Sequence, residues 1–335
     1  MEVNTYKLNN ALSLPDEWDV LADCYFQRKK FLLHCQNWNP CNQRYYVAYE
    51  NDELIAGAVL YTFRLNLFTY YKISLPITMQ ITGIPCSVSF SGLVGKLNNT
   101  LKLFKSICSQ ERGLKLALNI DSPEEVPHNI FAGHTLPVIK FNNHYSSTDD
   151  YLKSLRANYR RRLDLINKKS SALQFTQSSC NKFTIEMYHQ YIRVYEQSNA
   201  KLEQLEYRFF KYLPNEFKLT VARVNGTLAG WFITLNADSE LYFFFGGLNY
   251  SMNEELGTYH RLLQEIIFQG INSGVQRIDL GQTAEIPKMR LGGEIQPKYM
   301  IADHSTMINI LLRTSKKLLE YRNTFPQHHV FRNAL

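Results

Sequence analysis

The stretch that decides the fold runs from Leu241 to Gly293. It begins with Leu241-Tyr-Phe-Phe-Phe-Gly-Gly247, an aromatic run whose composition predicts a buried strand ending at a double glycine. After a polar link over residues 249–255, Gly257-Thr258 opens an amphipathic helix that Asn272-Ser273-Gly274 ends. Val275 to Gly281 predicts a second strand. A strand–helix–strand unit with short connections favours two parallel strands.

The same stretch predicts an anion site at the strand ends. The helix that starts at Gly257 offers free backbone N–H groups and the positive end of its dipole. The segment Ile286-Pro-Lys-Met-Arg-Leu-Gly-Gly293, expected to be a loop, adds Lys288 and Arg290 beside two glycines that let a backbone approach a ligand closely. We predict that Lys288 and Arg290 bind substrate; the alternative is an ordinary solvated loop.

Composition limits the classes of function. The chain has 335 residues, of which 45% are apolar and 20% charged, enough for two folded domains. The net charge of +7 favours anionic ligands, but it is too small and dispersed to indicate DNA binding. No uninterrupted apolar run reaches the length of a membrane span, and the N-terminus lacks a signal-peptide pattern. We expect a cytoplasmic protein, with peripheral membrane contact through exposed aromatic side chains left open.

Cysteine and histidine spacing argues against a metal site. The six cysteines form no CxxC motif, and five of them fall in the first half of the chain. His189, His260 and His304 are isolated in the sequence and pair with no cysteine or serine at a useful spacing. We therefore expect no metal, no disulfide framework and no nucleophilic catalysis.

The two halves of the chain follow a similar order of elements. Residues 45–50 and 54–63 predict a hairpin, and residues 217–224 and 227–236 predict another across Asn225-Gly226. The second strand of each hairpin opens similarly, with Leu54-Ile-Ala-Gly57 and Leu228-Ala-Gly230. We infer an internal duplication, with one domain over residues 1–145 and another over 146–335.

A basic helix is predicted at the start of the second domain. It runs from a Ser147 or Thr148 cap to about Lys169 and places Arg156 and Arg160 on one face. We predict that this face binds a phosphate-bearing substrate, such as CoA, tRNA or a nucleotide-linked acceptor. The alternative is a solvated face whose aliphatic stems cover apolar surface. Further helices are predicted over residues 183–197 and 202–213.

These motifs carry a resemblance to a known family. Leu228-Ala-Gly-Trp231, the Tyr242–Gly247 run, Arg277-Ile-Asp-Leu-Gly281, Glu285 and Lys288-Met-Arg-Leu-Gly-Gly293 resemble the second half of double-GNAT, FemAB-like and BioF2-like acyltransferases of bacteria. The resemblance covers most of the chain and is strongest over residues 217–293. It implies an α/β fold of tandem GNAT-like domains, each a mixed, mostly antiparallel sheet flanked by helices, with the active cleft in the second domain.

The resemblance also implies a reaction and a donor. GNAT enzymes transfer an acyl group to an amine, mostly from acyl-CoA, whereas FemABX enzymes use aminoacyl-tRNA. The donor is expected along the strand exit and the helix start, at Phe245, Gly246, Gly247, Gly257 and Thr258. The chain departs from the GNAT pyrophosphate loop, an Arg/Gln-x-x-Gly-x-Gly/Ala pattern: Met252-Asn-Glu-Glu-Leu-Gly257 keeps one glycine and adds two carboxylates, which would repel a pyrophosphate.

Transfer to an amine needs a base, an acid and donors for the oxyanion. Asp279, at the end of the second core strand, is the first candidate base, although an aspartate there can also cap a turn. Glu285 is the alternative base. Tyr250 is the candidate acid; Tyr259 could serve too, but lies on the apolar stripe of its helix.

We expect an N-acyltransferase that uses acyl-CoA and a small-molecule or peptide amine by direct attack. The alternatives are an aminoacyl-tRNA-dependent transferase acting on a peptidoglycan precursor, with tRNA less favoured, and a non-catalytic GNAT-like module. The acyl chain, the acceptor and the oligomeric state are left open.

Overall fold

The computed structural model describes residues 3–39, 41–71, 73–198 and 201–332. Within these ranges the strands are β1 Asn4–Leu8, β2 Gln43–Glu50, β3 Glu53–Asn66, β4 Pro76–Thr82, β5 Leu93–Val94, β6 Leu114–Ile120, β7 Phe131–Asn142, β8 Gln174–Ser179, β9 Phe217–Val224, β10 Thr227–Ala237, β11 Glu240–Leu248, β12 Arg277–Gln282 and β13 Glu294–Asp303.

The α-helices of the same ranges are α1 Trp18–Leu21, α2 Lys29–Trp38, α3 Leu97–Gln110, α4 Thr148–Ser154, α5 Ala157–Lys169, α6 Ile185–Gln197, α7 Tyr207–Lys211, α8 Tyr250–Leu256, α9 Thr258–Asn272, α10 Glu285–Met289, α11 Thr306–Thr314 and α12 Lys316–Leu319.

The first compact unit comprises residues 1–137, 199–209 and 297–323. Its strands β1, β2, β3 and β4 pair antiparallel in that order, β6 adds parallel to β4, and β13 adds antiparallel to β6. Helix α3 buries one face, including Leu103 and Phe104, in the apolar core of this unit. Trp18 lies directly over β3, where a methyl group at Gly57 would overlap its ring.

The second compact unit comprises residues 138–198, 210–296 and 324–335. Its strands β8, β9, β10 and β11 pair antiparallel in that order, β12 adds parallel to β11, and the end of β7 adds antiparallel to β12. Helix α9 packs on these strands through its apolar stripe, and a methyl group at Gly270 would overlap Ile278 of β12. On α6, the Met187 carbonyl accepts the Trp231 indole N–H at 3.0 Å.

The local sequence signals for strands and tight turns are confirmed. Both hairpins form, and β11, α9 and β12 make the predicted parallel unit. Each unit carries the expected mixed, mostly antiparallel strands with flanking helices. The predicted domain boundary after residue 145 stays a prediction.

One long basic helix was expected over residues 147–169, and this is wrong. The chain leaves the helical conformation at Leu155 and Arg156, both extended, and so forms α4 and α5 instead. The C-terminal segment causes the break, because the Arg156 N–H donates to the Val330 carbonyl at 2.9 Å and the Arg332 N–H donates to Ser154 at 2.8 Å. A strand-like contact with residues 330–332, which are distant in sequence, replaces the helical hydrogen bonds at this point.

Three further expectations are corrected. Only Tyr207–Lys211 is helical within the helix predicted for 202–213. The polar link at 249–255 is largely helix α8, capped by the Asn249 side chain, and the predicted basic loop forms the short helix α10 before it turns at Gly292. These are short helices that tertiary packing supports and that sequence periodicity alone resolves poorly.

No helix among the described residues is long and apolar enough to cross a membrane. All six cysteines are free thiols, and five of them are buried.

Candidate active site

The parallel pair β11 and β12 opens along its length. Among the described residues, its ladder joins Glu240 to Arg277, Leu241 to Ile278 and Tyr242 to Asp279, and it ends there. Strand β11 continues to Leu248, bulged against β10 between Phe243 and Phe245. The β11–β12 ladder therefore ends at Tyr242, and the strand ends beyond it frame a place for an extended ligand beside β11.

Asp279 lies at the last ladder position and is almost fully buried, with 3% exposure. Its Oδ1 accepts the Gly281 N–H at 2.7 Å, and its Oδ2 lies 3.9 Å from Lys140 Nζ. Lys140 Nζ also forms an ion pair with Glu240 Oε2 at 3.2 Å. The other oxygen of Glu240 lies 2.5 Å from Arg277 Nη2. This geometry is that of a turn cap within a charge network, the alternative role foreseen for Asp279.

The turn after β12 is held in a strained conformation. Gly281, Thr283 and Ala284 all have positive φ, at 72°, 61° and 49°. For the threonine and the alanine, this left-handed region is sterically unfavourable. Lys288 of α10 stabilises the turn, because its Nζ donates to the Gly281 carbonyl at 3.1 Å and the Gln282 carbonyl at 2.8 Å.

Lys288 is the most perturbed cation near the strand ends. Only 2% of its surface is exposed, and burial lowers its pKa from 10.5 to about 7, against the opposing pull of Asp279 and Glu285. Near neutral pH, a fraction of this amine is therefore uncharged. The contacts of Lys288 described here are with the protein's own turn, which its ammonium group closes from inside, so its substrate-binding role stays a prediction.

Glu285 at the start of α10 and Tyr250 at the start of α8 lie near Tyr259 at the start of α9. Burial raises the pKa of Tyr259, and the nearby charges of Glu285 and Tyr250 raise it further. Burial also raises the pKa of Tyr250, which is half-buried, so its hydroxyl keeps its proton at neutral pH. A half-buried carboxylate and two protonated phenols thus lie in one neighbourhood.

A cationic group lies beside these residues. Partial burial lowers the pKa of His260 and of His328, and for both rings the charges of Arg162 and Arg290 lower it further. Each histidine also contacts a tyrosine: the Tyr159 hydroxyl lies 3.4 Å from His328 Nδ1, and the ring centroids of Tyr259 and His260 are 5.5 Å apart. We call Arg162, His260, Arg290 and His328 the cation cluster; at neutral pH its positive charge comes from the two arginines.

The start of α9 is partly occupied by the protein itself. The side-chain oxygen of Asn253 accepts the Tyr259 N–H at 2.8 Å, and Gly257 takes the left-handed conformation between α8 and α9. Thr258 is fully buried, with its methyl group near Gly230. Glu254 and Glu255 are exposed. An anion at this end would rely on the remaining backbone N–H groups and on the cation cluster.

Comparison with known proteins identifies the architecture. Residues 153–289 match the family described as Acetyltransferase (GNAT) domain. The chain has a double-GNAT, FemAB-like fold. It superposes on a crystal structure of FemX with a TM-score of 0.56 at 11% identity, covering 93% of this chain and 100% of that one.

Two further structures agree with this double-GNAT fold. A tandem GNAT protein from the clavulanic acid biosynthesis pathway gives a TM-score of 0.50 at 11% identity, covering 90% of this chain and 98% of that one. L-PGS from Bacillus licheniformis gives a TM-score of 0.50 at 11% identity, covering 86% of this chain and 91% of that one. No curated protein sequence matches the chain. At this identity the likeness establishes the fold alone.

The strand-exit residues predicted to bind the donor have packing roles in the second GNAT unit. A methyl group at Gly247 would overlap the Trp231 indole, and one at Gly246 would lie 3.1 Å from the Trp231 carbonyl oxygen. Phe245 is half-buried on the α6 side of β11, with its ring 5.3 Å from Phe210. The double glycine therefore lets an indole pack closely on β11, and ligand binding by these residues stays a prediction.

The two arginines predicted from the basic helix do not share a helical face. Arg156 is the residue before α5, and its Nε donates to the Phe331 carbonyl at 2.9 Å. Arg160 lies within α5 and is half-buried. The α5 arginine that approaches the candidate site is Arg162, which belongs to the sequence run at 160–162 but was not selected from it.

Sequence reasoning also missed His260 and His328. His260 carries a weak signal, since it lies three residues after the helix-opening Gly257. His328 carries none, because only tertiary packing brings the C-terminal segment to α5. Among the described residues, no group of three or more His, Cys, Asp or Glu side chains is arranged to hold a metal ion.

Proposed function

We propose that this GNAT-fold chain is an N-acyltransferase that moves an acyl group from acyl-CoA to an amine by direct attack. The observation that carries the proposal is the parallel pair β11–β12, which stops pairing at Tyr242 and Asp279 beside Glu285, Tyr250 and the cation cluster. The strand ends beyond this ladder leave room for an amide-containing donor arm beside β11, and the arginines of the cation cluster suit its phosphates.

The residues divide into base, acid and support. Glu285 is assigned the base, because Asp279 is already engaged by the Gly281 N–H and faces Lys140. Glu285 accepts a proton from the acceptor amine as its nitrogen attacks the thioester carbonyl carbon. Tyr250, kept protonated by burial, donates a proton to the sulfur as the C–S bond breaks. An amide and a free thiol result, and solvent returns both groups to their starting states.

Lys288 and Asp279 act as positioning residues in this scheme. Lys288 stabilises the strained turn of residues 281–284 by donating to two of its carbonyl groups. Asp279, on β12, caps the same turn by accepting the Gly281 N–H. Together they fix where α10 begins and hence where the Glu285 carboxylate lies. Arg290, predicted from sequence to bind substrate, is assigned with Arg162 to the phosphates of the donor.

Two observations favour a second candidate, aminoacyl-tRNA-dependent transfer as in FemABX enzymes. Asn253 occupies one N–H group of the α9 terminus, where a pyrophosphate would bind. Arg161, Lys168 and Lys169 form an exposed basic surface on α5, which a nucleic acid backbone could contact. The acceptor in that case would be a peptidoglycan precursor.

Calorimetric titration of the full chain with acetyl-CoA, a longer acyl-CoA and free CoA tests the donor. We expect micromolar binding, about −8 kcal/mol. Arg290→Gln should weaken it about tenfold, the effect of one lost charge-assisted contact. Arg161→Gln, on an exposed residue of α5, should leave it unchanged. No binding of any CoA compound would refute acyl-CoA as donor; saturable, salt-dependent binding of aminoacyl-tRNA would then support the second candidate.

Turnover tests the chemistry separately from binding. Glu285→Gln should retain acyl-CoA binding and lose at least about a hundredfold in kcat with the best amine acceptor found, because the amine keeps its proton. Unchanged kcat in this variant would remove Glu285 as the base. If no amine is acylated although acyl-CoA binds, the chain is a non-catalytic GNAT-like module.

A further inference from the structure

Helices α11 and α12 of the first unit present apolar side chains to solvent. Met307 is 82% exposed, Ile310 53%, Leu311 59% and Leu318 42%. Positions 307, 310 and 311 recur at helical spacing within α11, so these three side chains form one stripe, and Leu318 follows on α12. Exposed large apolar residues are ordinary when they occur singly, but a contiguous stripe indicates a contact surface.

The opposite side of α11 anchors it, which sets the orientation of the stripe. Leu312 is 5% exposed and belongs to the core of the first unit. The Asn309 side chain donates to Asp303 at 2.6 Å and accepts the His304 N–H at 2.8 Å. Helix α11 therefore carries apolar side chains on its outer side as well as on the side that the unit covers, which is unusual for a surface helix.

The loop between β3 and β4 extends the same surface. The Tyr71 hydroxyl donates to the Lys317 carbonyl at 2.5 Å, which places this loop against α12. Asn66 holds the loop in shape, donating to the Ile73 carbonyl at 2.9 Å and accepting the Leu75 N–H at 2.7 Å. We define the apolar face as the exposed side chains of Tyr71, Ile73, Leu75, Met307, Ile310, Leu311 and Leu318.

Cations surround the apolar face. Residues 304–323 contain four, Arg313, Lys316, Lys317 and Arg322, all exposed, and a single carboxylate, Glu320. Glu320 is buried and lies 3.9 Å from Lys316 and 3.7 Å from Arg322. A groove of 670 Å³ beside α11 is lined in part by Glu124, Arg313 and Lys316. Cations outnumber carboxylates here, so the rim of the apolar face is net positive.

We propose that the apolar face docks on the surface of an anionic lipid bilayer. The apolar stripe would enter the boundary between headgroups and acyl chains, and the surrounding cations would meet lipid phosphates, the arrangement that stabilises amphipathic helices at membrane interfaces. Charge complementarity selects this occupant, because a neutral apolar partner would leave the cations of the rim unmatched. The surface lies outside the acyl-transfer site, and the proposal does not depend on that reaction.

Vesicle sedimentation with the full chain tests the proposal. The probes are large unilamellar vesicles of phosphatidylcholine with about 30% phosphatidylglycerol, and vesicles of phosphatidylcholine alone. We expect binding to the anionic vesicles at least tenfold tighter, weakening as salt is added. The double variant Met307→Ser/Leu311→Ser should lose at least about tenfold in partition coefficient. Arg313→Gln/Lys317→Gln should lose a similar factor and most of the salt dependence, since each cation near such a surface contributes about fivefold.

The matched control is Leu12→Ser/Val20→Ser, which removes two apolar side chains of 70% and 84% exposure outside the apolar face. Its binding should equal that of the wild type. An equal loss in control and test variants would overturn the proposal, as would wild-type binding no stronger for anionic than for neutral vesicles. Concentration-dependent dimerisation lost in Met307→Ser/Leu311→Ser, without vesicle binding, would assign the face to a second copy of the chain instead.

Discussion

Replacing Lys288 with methionine should change how the stability of this protein depends on pH. The folded protein releases the Lys288 proton near pH 7, whereas the unfolded chain keeps it up to the ordinary value of 10.5. Between these values the unfolded state binds more protons, so the free energy of unfolding of the wild type rises with pH. In the Lys288→Met variant this contribution is absent.

The magnitude follows from the two pKa values. The interval from about 7 to 10.5 corresponds to about 5 kcal/mol between the charged and neutral forms of the amine. Between about pH 7.5 and about pH 9.5 the expected gain of wild type over variant is about 2 to 3 kcal/mol. At acidic pH the variant gains stability from removal of a buried charge and loses it from two carbonyls left without their donor, at about 1 to 3 kcal/mol each.

Urea unfolding of wild type and variant at several pH values measures this difference. Tryptophan fluorescence reports on both units, since Trp231 lies in the unit that contains Lys288 and Trp18 and Trp38 lie in the other, and circular dichroism shows whether the transitions coincide. The matched control is Lys168→Met, an exposed lysine on α5, which should leave the pH dependence unchanged. The test is the difference in the free energy of unfolding between wild type and Lys288→Met. If this difference stays constant within about 0.5 kcal/mol across the pH range, Lys288 remains charged in the folded protein and the reasoning is refuted.

A direct titration gives an independent measurement. In protein carrying ¹³C at lysine Cε, one resonance missing from the Lys288→Met variant should titrate with a midpoint near pH 7. A midpoint above about pH 9 would contradict the burial argument even if the stability measurements were complicated by other groups.

Three further predictions concern stability. Ala284→Gly should raise the free energy of unfolding by about 0.5 to 1 kcal/mol in urea titrations, because glycine accepts the φ of 49° without strain; a loss would contradict the strain argument. Gly247→Ala should lower it by about 1 to 3 kcal/mol and shift Trp231 fluorescence, because the methyl overlaps the indole; an unchanged melting temperature would argue against this packing. For Glu203, burial raises the pKa to about 7, so the folded state binds more protons between about pH 4.5 and 7 and the wild type should lose about 2 kcal/mol from pH 5 to 7; a parallel loss in Glu203→Gln would contradict this.

Several elements of the fold could be predicted from sequence because their signals are local. The Asn225-Gly226 turn and the alternation on either side predict β9 and β10 at nearly the observed residues. The period of the α9 stripe and the short connections on either side predict its parallel strands. In these cases the residues that determine the structure lie within a few positions of those that adopt it.

The candidate site could be predicted only in part. Glu285, Lys288 and Arg290 were found because a strand end, a proline and two glycines mark that segment. Asp279 was also selected, but its turn-capping contact is visible only once the 281–284 backbone is placed. The burial that lowers the pKa of Lys288 is likewise a property of packing, not of sequence spacing.

The sequence by itself therefore determined the strands, the tight turns, the amphipathic helices and the kind of chemistry that the strand ends could hold. The tertiary structure decided what depends on distant segments: the break between α4 and α5, the approach of Arg162 and His328 to α9, and the exposure of the apolar face. The physical reason is the sequence distance over which each effect acts. Backbone propensity and side-chain periodicity act over a few residues, whereas burial, charge neighbours and strand pairing depend on which segments of the chain pack together.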